Sequence, residues 1–247
     1  MRRSLLLTVL VVLLVVFATG CAQDEEGAAV DQGAGGKGLV AHFAFEGNLE
    51  DSTANFAVGE LIGTLIGESV GLVTETRGEE HYSVSYGEGV EGQAVKFDGS
   101  QGVLLPSGLI DGNTYTISLW IKPEALTMHT TAFFGGANDS KWISIVPSGW
   151  SGGDTMLWSG NVEWYDAICG EAIPLNEWTH LVVSVDGGYV RVFLDGTEKF
   201  AGSNFPDVFS GAEKTIFALA VNWWDTPFIG MLDELKIYNQ ALTPSQI

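Results

Sequence analysis

HLVVSVDGGYVRVFLDG, residues 180–196, holds two strands and two turns. Leu181, Val183 and Val185 fall on one side of a two-residue alternation, the period of a half-buried strand. Asp186-Gly187-Gly188 then supplies residues that accept the positive φ of a tight hairpin. Tyr189 to Leu194 alternates again before a second turn at Asp195-Gly196. The same period recurs outward from this stretch. Tyr115 to Lys122 sets Ile117, Leu119 and Ile121 against Thr116, Ser118 and Trp120, and Leu232 to Tyr238 sets Leu235 and Ile237 against Glu234, Lys236 and Tyr238. The opening run, Leu39 to Phe45, alternates too, so pairing of the first and last strands would hold both ends of the domain down. No helical period of any length competes. Short strands with turns at close intervals predict an all-β fold, a two-sheet antiparallel β-sandwich or jelly roll. Residues 56–92 are glycine-rich and alternate weakly, so strand boundaries are least defined there.

The chain has 247 residues, 46% of them hydrophobic and 17% charged, with a mean hydropathy of +0.19, which excludes a disordered or low-complexity polymer. Its 31 acidic residues against 11 basic ones give a net charge of -20. That balance excludes nucleic acid and an anionic membrane surface as partners, since both need clustered Lys and Arg. Two cysteines and four histidines make neither a disulfide framework nor a Cys-based zinc site, and no His-Glu-x-x-His pair occurs. Met1-Arg2-Arg3-Ser4 followed by Leu5 to Ala18, with Thr8 the one polar residue, has the charge and hydrophobic pattern of an export signal. The segment then closes on Ala18-Thr19-Gly20-Cys21, which resembles the lipobox of bacterial lipoproteins. That resemblance implies a signal peptide at 1–20, a lipidated Cys21, a flexible tether over 21–38 and a folded domain at 39–247. The protein is then expected exported and lipid-anchored to the bacterial cell envelope, a monomer touching the membrane through its anchor only. Cutting before Cys21 removes Arg2 and Arg3 and no acid, leaving 31 acidic against 9 basic residues, or -22. Cys169 is left without a partner and reads as a small buried hydrophobe.

Five segments in order carry a family resemblance. They are Phe43 to Ser52, then Gly92-Gln93-Ala94-Val95-Lys96-Phe97-Asp98-Gly99, Tyr115 to Pro123, Glu177 to Leu181 with Leu194-Asp195-Gly196, and Phe228 to Ala241. Together the chain resembles the laminin-G-like jelly-roll modules of the concanavalin A-like superfamily. Around Asn222 to Phe228 it is similar to modules found beside glycan-degrading enzymes, which implies a poly- or oligosaccharide partner. In this superfamily a structural calcium often sits where the opening strand's acidic turn meets the last strand, and the matching positions are Glu46, Asn48, Asp51 and Asp233. The ordinary alternative for these acids is to cap turns.

Sugars are recognised by aromatic faces with amide and carboxylate groups nearby. Trp120 and Trp178 fall inside the fold motifs and read as structural. The other six tryptophans sit among Gly, Ser, Asn and Asp, in loop-like surroundings where binding residues concentrate. The ligand-binding set expected is Trp150, Trp158, Trp164, Asn222, Trp223, Trp224 and Asp225. Trp150, within Ser148 to Asp154, has no regular alternation to bury it. In an extended chain Trp223 and Trp224 would face opposite ways, leaving one for a ligand. A glycoside hydrolase of this superfamily would carry Glu-x-Asp-x-x-Glu on a strand, yet none of the eighteen glutamates has an aspartate two positions on. Glu163 and Asp166 are three apart, on opposite faces of a strand. A non-catalytic carbohydrate-binding module is therefore expected, the alternative being a surface adhesion or structural protein that binds protein partners.

Overall fold

The computed structural model describes residues 38–67, 82–161 and 163–247. The expected signal segment, Cys21 and the tether through Lys37 lie outside them. Among the described residues there is no helix, and fifteen strands follow one another: β1 (Leu39–Phe43), β2 (Glu60–Ile62), β3 (Ser85–Glu88), β4 (Gln93–Asp98), β5 (Gly102–Leu105), β6 (Thr114–Pro123), β7 (Phe133–Asn138), β8 (Lys141–Val146), β9 (Met156–Asn161), β10 (Glu163–Ile168), β11 (Thr179–Asp186), β12 (Tyr189–Leu194), β13 (Thr197–Gly202), β14 (Ile216–Leu219) and β15 (Ile229–Tyr238). They form two antiparallel sheets. The first runs β13-β12-β11-β6-β15-β4-β3, with β1 also on β15, and the second runs β10-β9-β8-β7-β14-β5-β2.

The predicted alternation sets the core. Ile117, Leu119 and Ile121 of β6 and Leu181 and Val183 of β11 turn inward from the first sheet. Phe133, Ile143, Ile145, Leu157, Phe217 and Leu219 do so from the second, and each of these eleven is at most 1% exposed. Both expected hairpins form with two-residue loops. Gly187 and Gly188 have φ of 56° and 93°, and Asp195 and Gly196 have 48° and 72°, the positive values that match the right-handed twist of the strands.

β15 departs from the uninterrupted alternation that its sequence suggests. Asp233 lies opposite Trp120 and Lys236 opposite Ser118, so three steps on β15 span two on β6. Glu234 takes up the extra residue with φ at 51°. This bulge is why both Leu232 and Leu235, out of phase in sequence, are fully buried. It also divides the other edge of β15, which pairs with β4 up to Leu232 and with β1 from Leu235. The expected pairing of the first and last strands is thus present.

Asp51 fixes the first turn after β1. Its Oδ1 accepts the His42 N–H (2.8 Å) and the Thr53 N–H (3.1 Å), and its Oδ2 accepts the Thr53 hydroxyl (2.6 Å) and the N–H groups of Asn55 and Phe56 (both 3.0 Å). Burial pushes this carboxyl up, but the donors from His42, Thr53 and Phe56 outweigh it and hold the group below its ordinary value of 3.8. Asp51→Ala should lower unfolding free energy by about 3 kcal/mol, the scale of hydrogen bonds to a charged acceptor plus the donors left bare. Because the folded carboxyl titrates below the unfolded one, the contribution is present above about pH 4 and fades as pH falls through the folded value. Denaturant melts at pH 7 and pH 3 check both: the gap between variant and wild type should shrink at pH 3.

Candidate functional site

An antiparallel sheet packed on one face ordinarily turns polar side chains to water on the other. The second sheet does not. Its outward positions are Phe134 and Gly136 on β7, Trp142 and Ser144 on β8, Trp158 and Gly160 on β9, and Trp164 and Asp166 on β10. Strand register aligns them in two rows, Trp164-Gly160-Trp142-Gly136 and Asp166-Trp158-Ser144-Phe134. Large and small residues alternate along the first row for a steric reason. A Cβ on Gly160 would lie 2.6 Å from the Trp142 ring, and one on Gly136 would lie 2.9 Å from the Trp223 ring. The two glycines are the space those indoles occupy.

The result is a continuous aromatic surface with its own apolar layer of Phe134, Trp142, Ile216, Ala218, Val221 and Ile66, separate from the core between the sheets. Trp158 and Trp164 stack with centroids 4.8 Å apart and planes at 24°. Trp142 meets Trp158 edge-on at 5.2 Å and lies tilted at 60° to Trp224 at 5.3 Å. Trp223 stands edge-on to Phe134 at 4.7 Å. Trp142 is buried, Trp158 and Trp223 half-buried, while Trp164 is 65% exposed and Trp224 51%.

Trp223 and Trp224 do not face opposite ways as an extended chain would place them. Asn222 Oδ1 accepts the N–H groups of Trp224 (2.8 Å) and Asp225 (2.7 Å), bending the segment so that both rings come to the same surface, 5.3 Å apart. Asn222 Nδ2 donates to Thr131 Oγ1 (2.8 Å) and Asp225 Oδ2 (2.6 Å), and Thr131 in turn bonds Ser144 (2.7 Å). Asn222 is 2% exposed with both ends of its amide engaged. It positions the tryptophans with its amide held inside the protein, and Asp225 shares this turn.

The fold brings to the rings two polar groups outside the expected binding set. Asp166 lies directly across from Trp158, and the His129 ring sits 5.2 Å from the ring of Trp158. Asp166 Oδ1, His129 Nε2 and Trp223 Nε1 are each buried without a hydrogen-bond partner. His129 precedes β7 in the chain and no local pattern pairs it with Trp158, whereas Asp166 was legible as an outward position of a strand. Trp150 is 52% exposed but stands apart. It lies in the turn closed by the Gly149 N–H to the Asp154 carbonyl (2.8 Å) and makes no ring contact with the cluster.

Of the four positions matched to calcium, Asp51 is filled by protein donors as described, and Asn48 Oδ1 is taken by the Glu50 N–H. Glu46 and Asp233 close on one turn, and backbone donors occupy their oxygens as well. Glu46 Oε2 accepts the Gln93 N–H (3.1 Å), and Asp233 Oδ2 accepts the Val90 N–H (2.7 Å). Burial pushes the Asp233 carboxyl up to about 6. Among the described residues no three His, Cys, Asp or Glu groups gather as a metal cluster. Cys169 is buried, and burial with the charges of Glu171 and Asp154 pushes its thiol up to about 12, so it stays protonated and inert.

Among curated proteins no sequence match was found. Among solved structures, domain 4 of AbnA, a GH43 extracellular arabinanase from Geobacillus stearothermophilus, in complex with arabinotriose, is 50% identical. It covers 85% of this chain and 96% of its own, with a TM-score of 0.77. The binding domains of Paraclostridial Mosquitocidal Protein 1 (14% identity, 84% of this chain and 50% of that one, TM-score 0.53) and of botulinum neurotoxin serotype D (13%, 85% and 50%, 0.54) share the fold alone. Residues 97–247 match the laminin-G family model described as the concanavalin A-like lectin/glucanases superfamily. With two antiparallel sheets in the jelly-roll arrangement and more than half of its length matched, the chain belongs to the concanavalin A-like lectin/glucanase superfamily as a laminin-G-like domain.

Proposed function

We propose that this protein is a non-catalytic carbohydrate-binding module, exported and lipid-anchored at Cys21, that takes an arabinose-based oligosaccharide on the outer face of its second sheet. The observation that carries the reading is the exposed tryptophan surface where the strand pattern calls for polar residues. An apolar patch of this kind marks an interaction site. The arabinotriose complex of the 50% identical domain supports the ligand class. In this reading Trp164 and Trp224 supply the open stacking faces, and Asp166 and His129 flank Trp158 to hold hydroxyls. The absence of Glu-x-Asp-x-x-Glu supports binding without cleavage. Calcium enters the proposal as a structural ion, with Glu46 and Asp233 the residues to hold it at the Val90 to Gln93 turn. It would neutralise a carboxylate that burial disfavours as an anion.

Titration calorimetry with arabinotriose checks the platform. Trp164→Ala should weaken binding about 30-fold, the roughly 2 kcal/mol of an aromatic hot spot, and Trp150→Ala should leave it unchanged. Unaltered affinity in Trp164→Ala would overturn the platform. Gly160→Ala forces a methyl against Trp142 and should cost about tenfold in affinity, with overpacking lowering unfolding free energy by about 1–3 kcal/mol. For calcium, thermal melts decide: saturating ion at about 100 times Kd adds about 2.7 kcal/mol, EDTA should reverse the rise, and Asp233→Asn should abolish it. A melting curve indifferent to calcium removes the ion from the proposal.

A further inference from the structure

The outward face of the second sheet carries one more row beyond the rings. Two residues before Trp158 on β9 lies Met156, which pairs with Val146 of β8 and Ile168 of β10. Alternation points Met156 outward, as it does Trp158, yet Met156 and Val146 are both buried. The Ser148 to Asp154 turn folds back over them: a Cβ on Gly149 would collide with Met156 Sδ. The same turn is tied to the rings from a second side. The Ser148 carbonyl accepts the His129 N–H (2.9 Å), and the ring of that histidine sits 5.2 Å from the ring of Trp158. The turn that carries Trp150 therefore stands at the lip of the aromatic surface, one row beyond Trp158, roughly 7 Å along the strand.

The turn itself is well braced. The Gly149 N–H reaches the Asp154 carbonyl (2.8 Å) and the Gly152 N–H the Trp150 carbonyl (3.1 Å). The Asp154 N–H donates to the Ser151 carbonyl (3.2 Å), closing a β-turn whose central Gly152 and Gly153 have φ of 69° and 94°, both positive as glycine allows. On this support the Trp150 side chain is 52% exposed, and Met128, next to His129, is 57% exposed. One indole and one thioether offer far less than the roughly 800 Å² per partner that a stable protein interface buries. A single open ring among Ser, Gly and Asp, continuous with the tryptophan surface, suits one more sugar residue. We propose that Trp150 is a distal subsite for the same neutral glycan: a chain longer than a trisaccharide stacks on Trp164, passes Trp158 and His129, and lays a further sugar on the Trp150 indole. The inference rests on the carbohydrate reading above and deepens it, from a short oligosaccharide to an extended chain bound along its length.

The test is titration calorimetry on the purified protein with arabinotriose and with arabinohexaose. A hexasaccharide offers about four registers to a site three sugars long, so about a fourfold gain in affinity comes from counting alone. Wild type should bind the hexasaccharide about 30-fold more tightly than the trisaccharide, the excess coming from a second contact made by the same chain. Trp150→Ala should cut the gain to the statistical level while its arabinotriose affinity and melting temperature match wild type, and Trp150→Phe, which keeps an aromatic face, should restore most of it. A wild-type gain at the statistical level, or a larger gain that survives in Trp150→Ala, overturns the distal subsite. Failure of the carbohydrate reading looks different: neither sugar binds wild type, and the subsite falls with it.

Discussion

The bulge at Asp233 and Glu234 is the constraint on which the first sheet depends. β15 is the strand that joins β6 on one side to both β4 and β1 on the other. A regular strand would bury one of Leu232 and Leu235 and expose the other, since one step of register exchanges the two faces. Glu234 at positive φ restores the phase. The cost of that backbone is offset by what its side chain and its neighbour's do. Asp233 Oδ1 accepts the Glu234 N–H (2.9 Å), and Asp233 Oδ2 ties down Val90. The Glu234 carboxylate reaches His42 on β1 (3.1 Å) and pairs with Lys236. Burial pushes the Glu234 carboxyl up, but Lys236 and His42 together bring it below its ordinary value, so it is charged where it is needed. One irregular residue thus holds the first strand to the last.

In the second sheet the register shift between Gly136 and Asn138 falls at the end of β7, and the alternation of its strands is used differently. Strict alternation buries Ile143 and Ile145 and sends Trp142 and Ser144 the other way. Leaving Trp164 65% exposed forgoes roughly 3 kcal/mol of burial, for an indole of about 200 Å² at about 25 cal/mol per Å². The fold does nothing to recover that energy, while it spends two glycines and an Asn222-centred turn to set neighbouring rings in place. Precise support beneath exposed rings is the arrangement expected of a preorganised binding surface.

The acidic charge has a comparable division of labour. Asp51 and Asp233 accept several backbone N–H groups each and organise loops, and glutamates pair with four of the basic residues. The acidic composition is therefore partly a structural device.

The fold class and most of the core were legible from the sequence, because side-chain period in a strand is a local property and Gly-Gly and Asp-Gly turns declare their own backbone. The tryptophans were legible as candidates for the same reason that they were ambiguous: an aromatic residue at an outward position and one in the core look alike in sequence. Which of them form the site was decided only by register, which lays β10, β9, β8 and β7 side by side and joins Trp164, Trp142 and Trp158. Register also put Asp166 beside Trp158. The role of Asn222 in organising the turn was not legible, since its amide partners, Thr131 and the N–H groups of Trp224 and Asp225, are set by packing. Trp150, the most loop-like of the tryptophans, was left outside the cluster. Sequence determined the alternation of faces along each strand; only the pairing of strands distant in the chain determined which face meets the core and which outward residues stand together.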